Sequence, residues 1–215
     1  MKKIEIPFTT FAKLAACAAL VVGCASFPDE ASTRALGEQA VAEAYPGMPP
    51  ALTRRAVQDS EQKLCSRTPD RKLTSEEAAH IVQAARASIK YPPSGKLVGD
   101  WKAGEKLVVN GVGQRVRDGR VEKAAQNGAL CSNCHALDPG EVNVGNLGPS
   151  LTGYGAQRGN SEAIAKYTYE KIYNAWTYFP CSNMPRLGHN GFLTPEQIAH
   201  VVAYLVDPQS PVNRK

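Results

Sequence analysis

The residues of this chain best suited to chemistry are Cys131-Ser132-Asn133-Cys134-His135. Two cysteines two residues apart, followed at once by His, form the attachment pattern of c-type haem. The cofactor explains the spacing. Each thiol adds to one vinyl group of the porphyrin, which gives two thioether bonds, and the next residue falls beneath the iron. His135 is then the proximal ligand through an imidazole nitrogen. A redox-active C-x-x-C pair and half of a zinc site are the competing readings. A zinc site needs two more ligands at similar spacing, and there is no second C-x-x-C and no H-x-x-x-H. A thioredoxin-like motif needs strands alternating with helices around it, and the flanking pattern is not of that kind. One covalent haem c is the expected cofactor.

A proximal imidazole needs its second nitrogen held, so that the ring keeps one tautomer and one orientation. A backbone carbonyl presented by a proline turn suits that task. Pro149, in Asn146-Leu147-Gly148-Pro149-Ser150-Leu151, is the candidate, with Leu151 expected to pack on the porphyrin. The distal ligand has five candidates: Met48, Met184, His80, His189 and His200. Met184 leads. Pro185 forces an extended loop there, which can bring a thioether back over the iron. A Met in a polar, proline-flanked loop is also poorly placed as core filler. His189, on the same loop, is the second choice. His80 lies beside an apolar stripe and His200 is turned away from one, so both read as surface residues.

The elements that must position these side chains are helical. Asp29 to Ala44 has helical composition and stops at Tyr45-Pro46-Gly47-Met48-Pro49-Pro50. A second helix is expected from Ala51 to about Leu64. A third starts at the capping box of Thr74 and Glu77 and carries Ala78, Ile81, Val82 and Ala85 on one face, with Pro92-Pro93 ending it. Residues 100–109 read as the first helix of the haem domain, closed by Gly111 and Gly113. Gly104 within it is costly unless something packs closely there. A loop rich in Gly and charge then leads to Ala124-Ala125, and Asp138-Pro139-Gly140 turns the chain away from the haem motif. Glu162 to Ala175 follows, with Ile164, Tyr167, Ile172 and Tyr173 as expected core contacts. Thr194, Pro195 and Gln197 open a last helix whose buried stripe is Ile198, Val201, Val202 and Leu205, flanked by Tyr204. The expected fold is all-α: a single-haem cytochrome c domain over residues 96–215, with an N-terminal helical extension over residues 24–95. That extension carries no catalytic constellation and is expected to pack on the haem domain or on a partner.

Residues 1–23 read as a signal peptide. Lys2-Lys3 opens a positive stretch, and Leu14 to Gly23 is apolar but too short to span a bilayer. Val21-Val22-Gly23-Cys24 has the form of a bacterial lipobox, in which Cys24 becomes the lipidated first residue of the mature chain. Ordinary cleavage near Ala25 is the alternative. Either way the chain is expected outside the cytoplasm, in the periplasm, with a lipid tether if Cys24 is acylated. The formal net charge of +5 is too mild to argue for nucleic acid. Of six cysteines, Cys17 leaves with the leader, Cys24 is the lipid candidate, and Cys131 and Cys134 take haem. Cys65 and Cys181 remain, an even number in an oxidising compartment. A disulfide between them is the simplest pairing, and a bond from one of them to a partner protein is the rival.

Three stretches point to a narrower group. Residues 146–155, residues 167–175 and above all Cys181 to Pro211, with Asn183-Met184-Pro185-Arg186-Leu187-Gly188-His189-Asn190-Gly191 and Leu193-Thr194-Pro195-Glu196-Gln197-Ile198, resemble SoxX. SoxX is the monohaem subunit of the thiosulfate-oxidising Sox system. The likeness covers about residues 96–215. It implies a heterodimer with a SoxA-like haem subunit, acting as an L-cysteine S-thiosulfotransferase that couples thiosulfate oxidatively to a cysteine of a SoxYZ-like carrier. The resemblance makes Cys131 and Cys134 the thioether sites, His135 and Met184 the iron ligands, and Pro149 the partner of the proximal ring. It gives this chain electron transfer onward to a small cytochrome c, with no catalysis alone. The lipobox departs from the many soluble relatives. A stand-alone periplasmic shuttle and a haem enzyme or gas sensor with an open distal site are the competing functions. The extension weighs against the first, and Met184 as a ligand against the second.

Overall fold

Capping chemistry sets where most of the helices begin. The computed structural model describes residues 29–47, 57–67, 72–111, 115–117, 120–122, 127–138 and 145–214. The chain divides into two compact units, Met1–Ala44 and Tyr45–Lys215. The described part of the first unit is helix α1 (Glu30–Ala44). The Asp29 carboxylate accepts from the Ser32 N–H at 2.9 Å at its start. That bond, first among several, holds the Asp29 carboxyl below the usual carboxylate range.

The second unit carries α2 (Ser60–Cys65), α3 (Ser75–Ala87), α4 (Trp101–Val109), α5 (Tyr154–Arg158), α6 (Glu162–Tyr173) and α7 (Pro195–Val206). Capping boxes at Asp59, Thr74 and Thr194 open α2, α3 and α7. Each satisfies two backbone N–H groups that would otherwise lack partners. Short 3-10 turns lie at Cys131–Asn133, Ala175–Thr177 and Pro211–Asn213.

The main packing contact is α4 across α7. A Cβ on Gly104 would lie 2.0 Å from the His200 carbonyl oxygen and 3.0 Å from Tyr204 Cβ. Only glycine lets the two helices approach so closely, which explains a residue that weakens α4 in isolation. Leu107 and Val108 from α4, Ile198, Val201, Val202 and Leu205 from α7, and Tyr169, Ile172 and Tyr173 from α6 form one buried cluster. Each such aliphatic side chain contributes about 1.5–3 kcal/mol when removed from water. Ile164 and Tyr167, expected in the core, are half-buried.

A second cluster joins Ile81 and Ala85 of α3 to Ala175 and Trp176. The stripe read in α3 is therefore the face that packs. Residues 88–91 are then fastened to α6. Asn174 donates to Ser88 Oγ at 3.1 Å, Tyr169 OH to the Lys90 carbonyl at 2.7 Å, and Tyr91 OH to Glu170. Burial alone would push Glu170 up. Hydrogen bonds from Lys166, Tyr178 and Tyr91 outweigh it and hold the carboxyl below its usual range.

Several local expectations are corrected. Gly111 does not close α4 in a left-handed turn; Asn110 ends the helix with extended backbone, and Gly111 instead sits against the Leu130 side chain. α3 ends at Ala87, ahead of Pro92-Pro93, and α6 ends at Tyr173. Part of the expected charged loop is an antiparallel ribbon, β1 (Arg115–Arg117) with β2 (Arg120–Glu122), pairing Val116 with Val121. Three-residue strands are too short to show alternation in a sequence. The leader, Cys24, Met48, residues 51–56 of the expected second helix, Gly113, Ala124-Ala125 and Pro139-Gly140 lie outside the described residues.

Candidate functional site

The Cys131–His135 segment begins from a left-handed residue, Leu130, at φ 38. A non-glycine residue in that region is strained and is held only where its surroundings fix it. Here the fixing is done by main-chain bonds. The Ala129 N–H donates to the Leu107 carbonyl at 2.8 Å and the Leu130 N–H to Asn110 at 3.2 Å, so the end of α4 sets the entry to the motif. The motif then winds one tight turn, with the Cys134 and His135 N–H groups both donating to the Cys131 carbonyl, at 3.1 and 2.9 Å.

Residues 145–151 are laced onto this turn. Gly145 donates to the Ser132 carbonyl, Gly148 to Cys134 and Leu151 to Ala136, each at 2.8 Å. Side chains would prevent this lacing. A Cβ at Gly145 would stand 1.8 Å from the Asn133 carbonyl oxygen, and one at Gly148 would stand 2.2 Å from His135 Cε1. With the loop in place, the Pro149 carbonyl oxygen lies 2.7 Å from His135 Nδ1. A carbonyl can only accept, so Nδ1 carries the proton and Nε2 keeps its lone pair. The proximal part fits a haem: one ring nitrogen is fixed, the other is free to bind iron, and the ring is pinned by Gly148.

The two cysteines of the motif are both unpaired. Burial pushes the Cys131 thiol up to about 11. A redox-active C-x-x-C pair needs a thiol with a lowered pKa, so this one is badly placed for thiol–disulfide exchange. Among the described residues no three His, Cys, Asp or Glu side chains gather as a metal-binding group, which leaves the zinc reading without its further ligands. Thioether formation needs neither a thiolate nor additional ligands.

Met184 is partly buried and packs against both hydrophobic clusters, while Cys131 and Leu151 border the first of them. The loop that carries Met184 is held from two sides. From within the haem domain, Gly188 and His189 donate to the Tyr173 carbonyl at 3.0 and 3.1 Å, and Trp176 Nε1 donates to the Ser182 carbonyl at 2.8 Å. From α2 come a disulfide, Cys65–Cys181, with its Cα atoms 5.4 Å apart, and an ion pair, Arg186 to Asp59 Oδ2 at 2.7 Å. Cys181 itself is left-handed, at φ 61.

The three candidate histidines are occupied elsewhere. His189 Nε2 is 3.9 Å from Asp59 Oδ2, and burial, with Arg186 adding to it, pushes the ring down from its ordinary value. His80 is exposed and faces Glu61 at 3.4 Å. His200, expected on the surface, is half-buried, and its Nδ1 accepts the Asp100 N–H at 2.9 Å at the start of α4. Gly145, Gly148 and the Asp59–Arg186 pair escape a reading of the sequence. Gly148-Pro149 is a turn signal that could have flagged the first two. The pair lies 127 positions apart and leaves no local trace.

The family model for cytochrome c matches residues 121–207. A relative from Aquifex aeolicus (strain VF5), described as an uncharacterized lipoprotein, is 43% identical over 159 residues, which is 74% of each sequence.

Proposed function

Given that this chain belongs to the cytochrome c family, we propose that it is the electron-transfer subunit of a SoxAX-like L-cysteine S-thiosulfotransferase. Electron transfer and haem c follow from the domain. The number of haems, the ligand set and the Sox assignment are the narrower reading. In it Cys131 and Cys134 would hold one haem, His135 and Met184 would be its iron ligands, and Leu151 would pack against it. A haem held there would supply a one-electron couple, and His/Met ligation would favour a high potential and leave no open ligand position. Pro149 fixes the tautomer of His135, and the braced Met184 loop keeps water and exogenous ligands from the distal side.

The observation that carries the electron-transfer reading is the His135 Nδ1 to Pro149 carbonyl contact at 2.7 Å. It supports reading His135 as a ring already oriented for an iron. The Sox assignment is supported by the resemblance over residues 146–155, 167–175 and 181–211. The partners it brings are a SoxA-like haem subunit, a SoxYZ-like carrier reached through the complex, and a small cytochrome c as acceptor. The lipobox at Cys24 and the description of the Aquifex relative as a lipoprotein support a lipid tether at that residue and a periplasmic location.

One observation favours the stand-alone shuttle as a second reading. Residues 57–67 and 72–91 are bonded into the haem domain itself, so their presence no longer requires a partner to explain it. A pull-down with the native chain from membranes and periplasm separates the two. Co-purification of a second haem protein, with thiosulfate turnover only when it is present, is expected of the subunit. Thiosulfate turnover by the purified chain alone would refute the assignment.

A further inference from the structure

A polar, proline-containing loop has little of its own to hold it in one place, yet the Met184 loop is tied to residues far upstream. Cys181 is bridged to Cys65 across 116 positions. Arg186, with only 7% of its side chain exposed, donates to Asp59 Oδ2 at 2.7 Å. The same guanidinium lies 4.2 Å from the centre of the Trp176 ring. Asp59 is itself fixed, because its Oδ1 accepts the Gln62 N–H at 2.7 Å and caps α2. Met184 sits between the two ties, and packs against the cluster that α3 shares with Trp176.

We propose that Asp59 and Arg186, together with the Cys65–Cys181 bridge, are positioning residues for the distal ligand, holding the Met184 loop closed over the iron. This rests on the reading of Met184 as that ligand. The physical argument is one of uncompensated charge. Arg186 is buried and must keep a counter-charge, and Asp59 is the carboxylate within reach. Opening the loop separates the two, so their attraction counts against the open state and hardly touches the α4–α7 core. A lysine at 186 could not both stack on Trp176 and present a planar donor to Asp59.

The test uses the full haem-loaded chain in its oxidised form, titrated with imidazole. Imidazole binds only where Met184 has left, so its apparent affinity scales with the open fraction. Asp59→Ser retains a capping side chain for α2 but removes the partner of Arg186. It is expected to tighten apparent imidazole binding roughly tenfold to a hundredfold and to weaken the near-infrared sulfur-to-iron band. Asp59→Asn, which keeps a neutral acceptor, should fall between it and the native chain. Arg186→Lys, which keeps the charge, should act in the same direction and serves if Asp59→Ser does not fold. Ser210→Ala is the control. Ser210 is fully buried and its hydroxyl donates to the Tyr204 carbonyl at the far end of α7, so it lowers stability without touching the loop. Tightening in the Asp59 and Arg186 variants but not in the Ser210 variant supports the proposal. Affinities within about twofold of native in both, or equal tightening in Ser210→Ala, overturn it. Met184→Ala keeps the two failures apart: if that variant retains the sulfur-to-iron band, the ligand assignment is what has failed.

Discussion

Gly148→Ala tests the proximal half of the site at the atom where it is tightest. The new Cβ would lie 2.2 Å from His135 Cε1 and 2.5 Å from Nδ1. Non-bonded carbons rest at about 3.5–4.0 Å, so the ring or the 145–151 loop must give by more than about 1 Å. The bond from Nδ1–H to Pro149, at 2.7 Å, does not survive a displacement of that size. Overpacking costs about 1–3 kcal/mol and a lost hydrogen bond about 1 kcal/mol more, a total of roughly 2–4 kcal/mol. For a chain of this length each kcal/mol moves the melting point by about 2–4 °C, so a fall of roughly 5–15 °C is expected. The potential should move as well. A donated Nδ1 proton makes the imidazole a stronger base and favours the ferric state. Losing that bond raises the potential, by up to about 59 mV for each tenfold loss of that preference. Both cysteines are untouched, so pyridine-haemochrome absorbance should match the native protein. Differential scanning calorimetry and a spectroelectrochemical titration read the two effects. A variant with native melting point and native potential would show that the His135 ring does not lie beneath Gly148.

Three further outcomes are expected. Met184→Ala should abolish the near-infrared sulfur-to-iron band, lower the potential and admit carbon monoxide to the ferrous form; a closed, band-bearing variant contradicts distal ligation by Met184. Replacing Cys65 and Cys181 together by serine releases a cross-link between residues 116 positions apart, for which chain entropy gives a loss of up to about 5 kcal/mol, and an unchanged denaturant midpoint would show that the bridge contributes nothing. The Glu170 carboxyl is held below its usual range because hydrogen bonds from Lys166, Tyr178 and Tyr91 outweigh burial. A depressed acid stabilises the fold above its unfolded pKa and loses that contribution as pH falls through its folded one. Glu170→Gln should therefore flatten the decline of stability below about pH 4, and parallel urea-derived stabilities for both proteins across that range would refute the assignment.

What could be read in the sequence was what acts over a few residues. Thr74 with Glu77 and Thr194 with Gln197 are capping boxes four residues long, and both stand at the starts of their helices. The stripes of α3 and α7 repeat every three or four positions, and both face a core. Cys131 to His135 is contiguous, and the carbonyl that meets His135 is fourteen positions on. Failures came where a residue answers to something remote. His200 faces away from its own helix stripe, as a surface residue would, and nothing near it discloses that Asp100 needs an acceptor there. Gly111 has the position of a helix stop, but it makes room for Leu130. The Cys65–Cys181 bridge was found by elimination among six cysteines, a counting argument that reaches across any distance; Asp59 and Arg186, two of many charged residues, offer nothing to count.

The loops that carry the two proposed iron ligands are secured by different physics. On the His135 side the loop is stitched to the motif by three main-chain bonds within twenty residues, with glycines where the strands of the stitch meet. That arrangement is local apart from its entry, which the end of α4 sets through Leu107 and Asn110. On the Met184 side the loop has its own two bonds to Tyr173 but depends on α2 for its bridge and its counter-charge. The bridge is covalent and survives partial unfolding, so of these distant ties the Asp59–Arg186 pair is the one that can open. Partial destabilisation should therefore expose the distal side while His135 remains bound. Cys131 to His135 marks where a haem would be attached, whereas the loop of the proposed second ligand is tied to Asp59 and Cys65, which no reading of residues 96–215 alone would include.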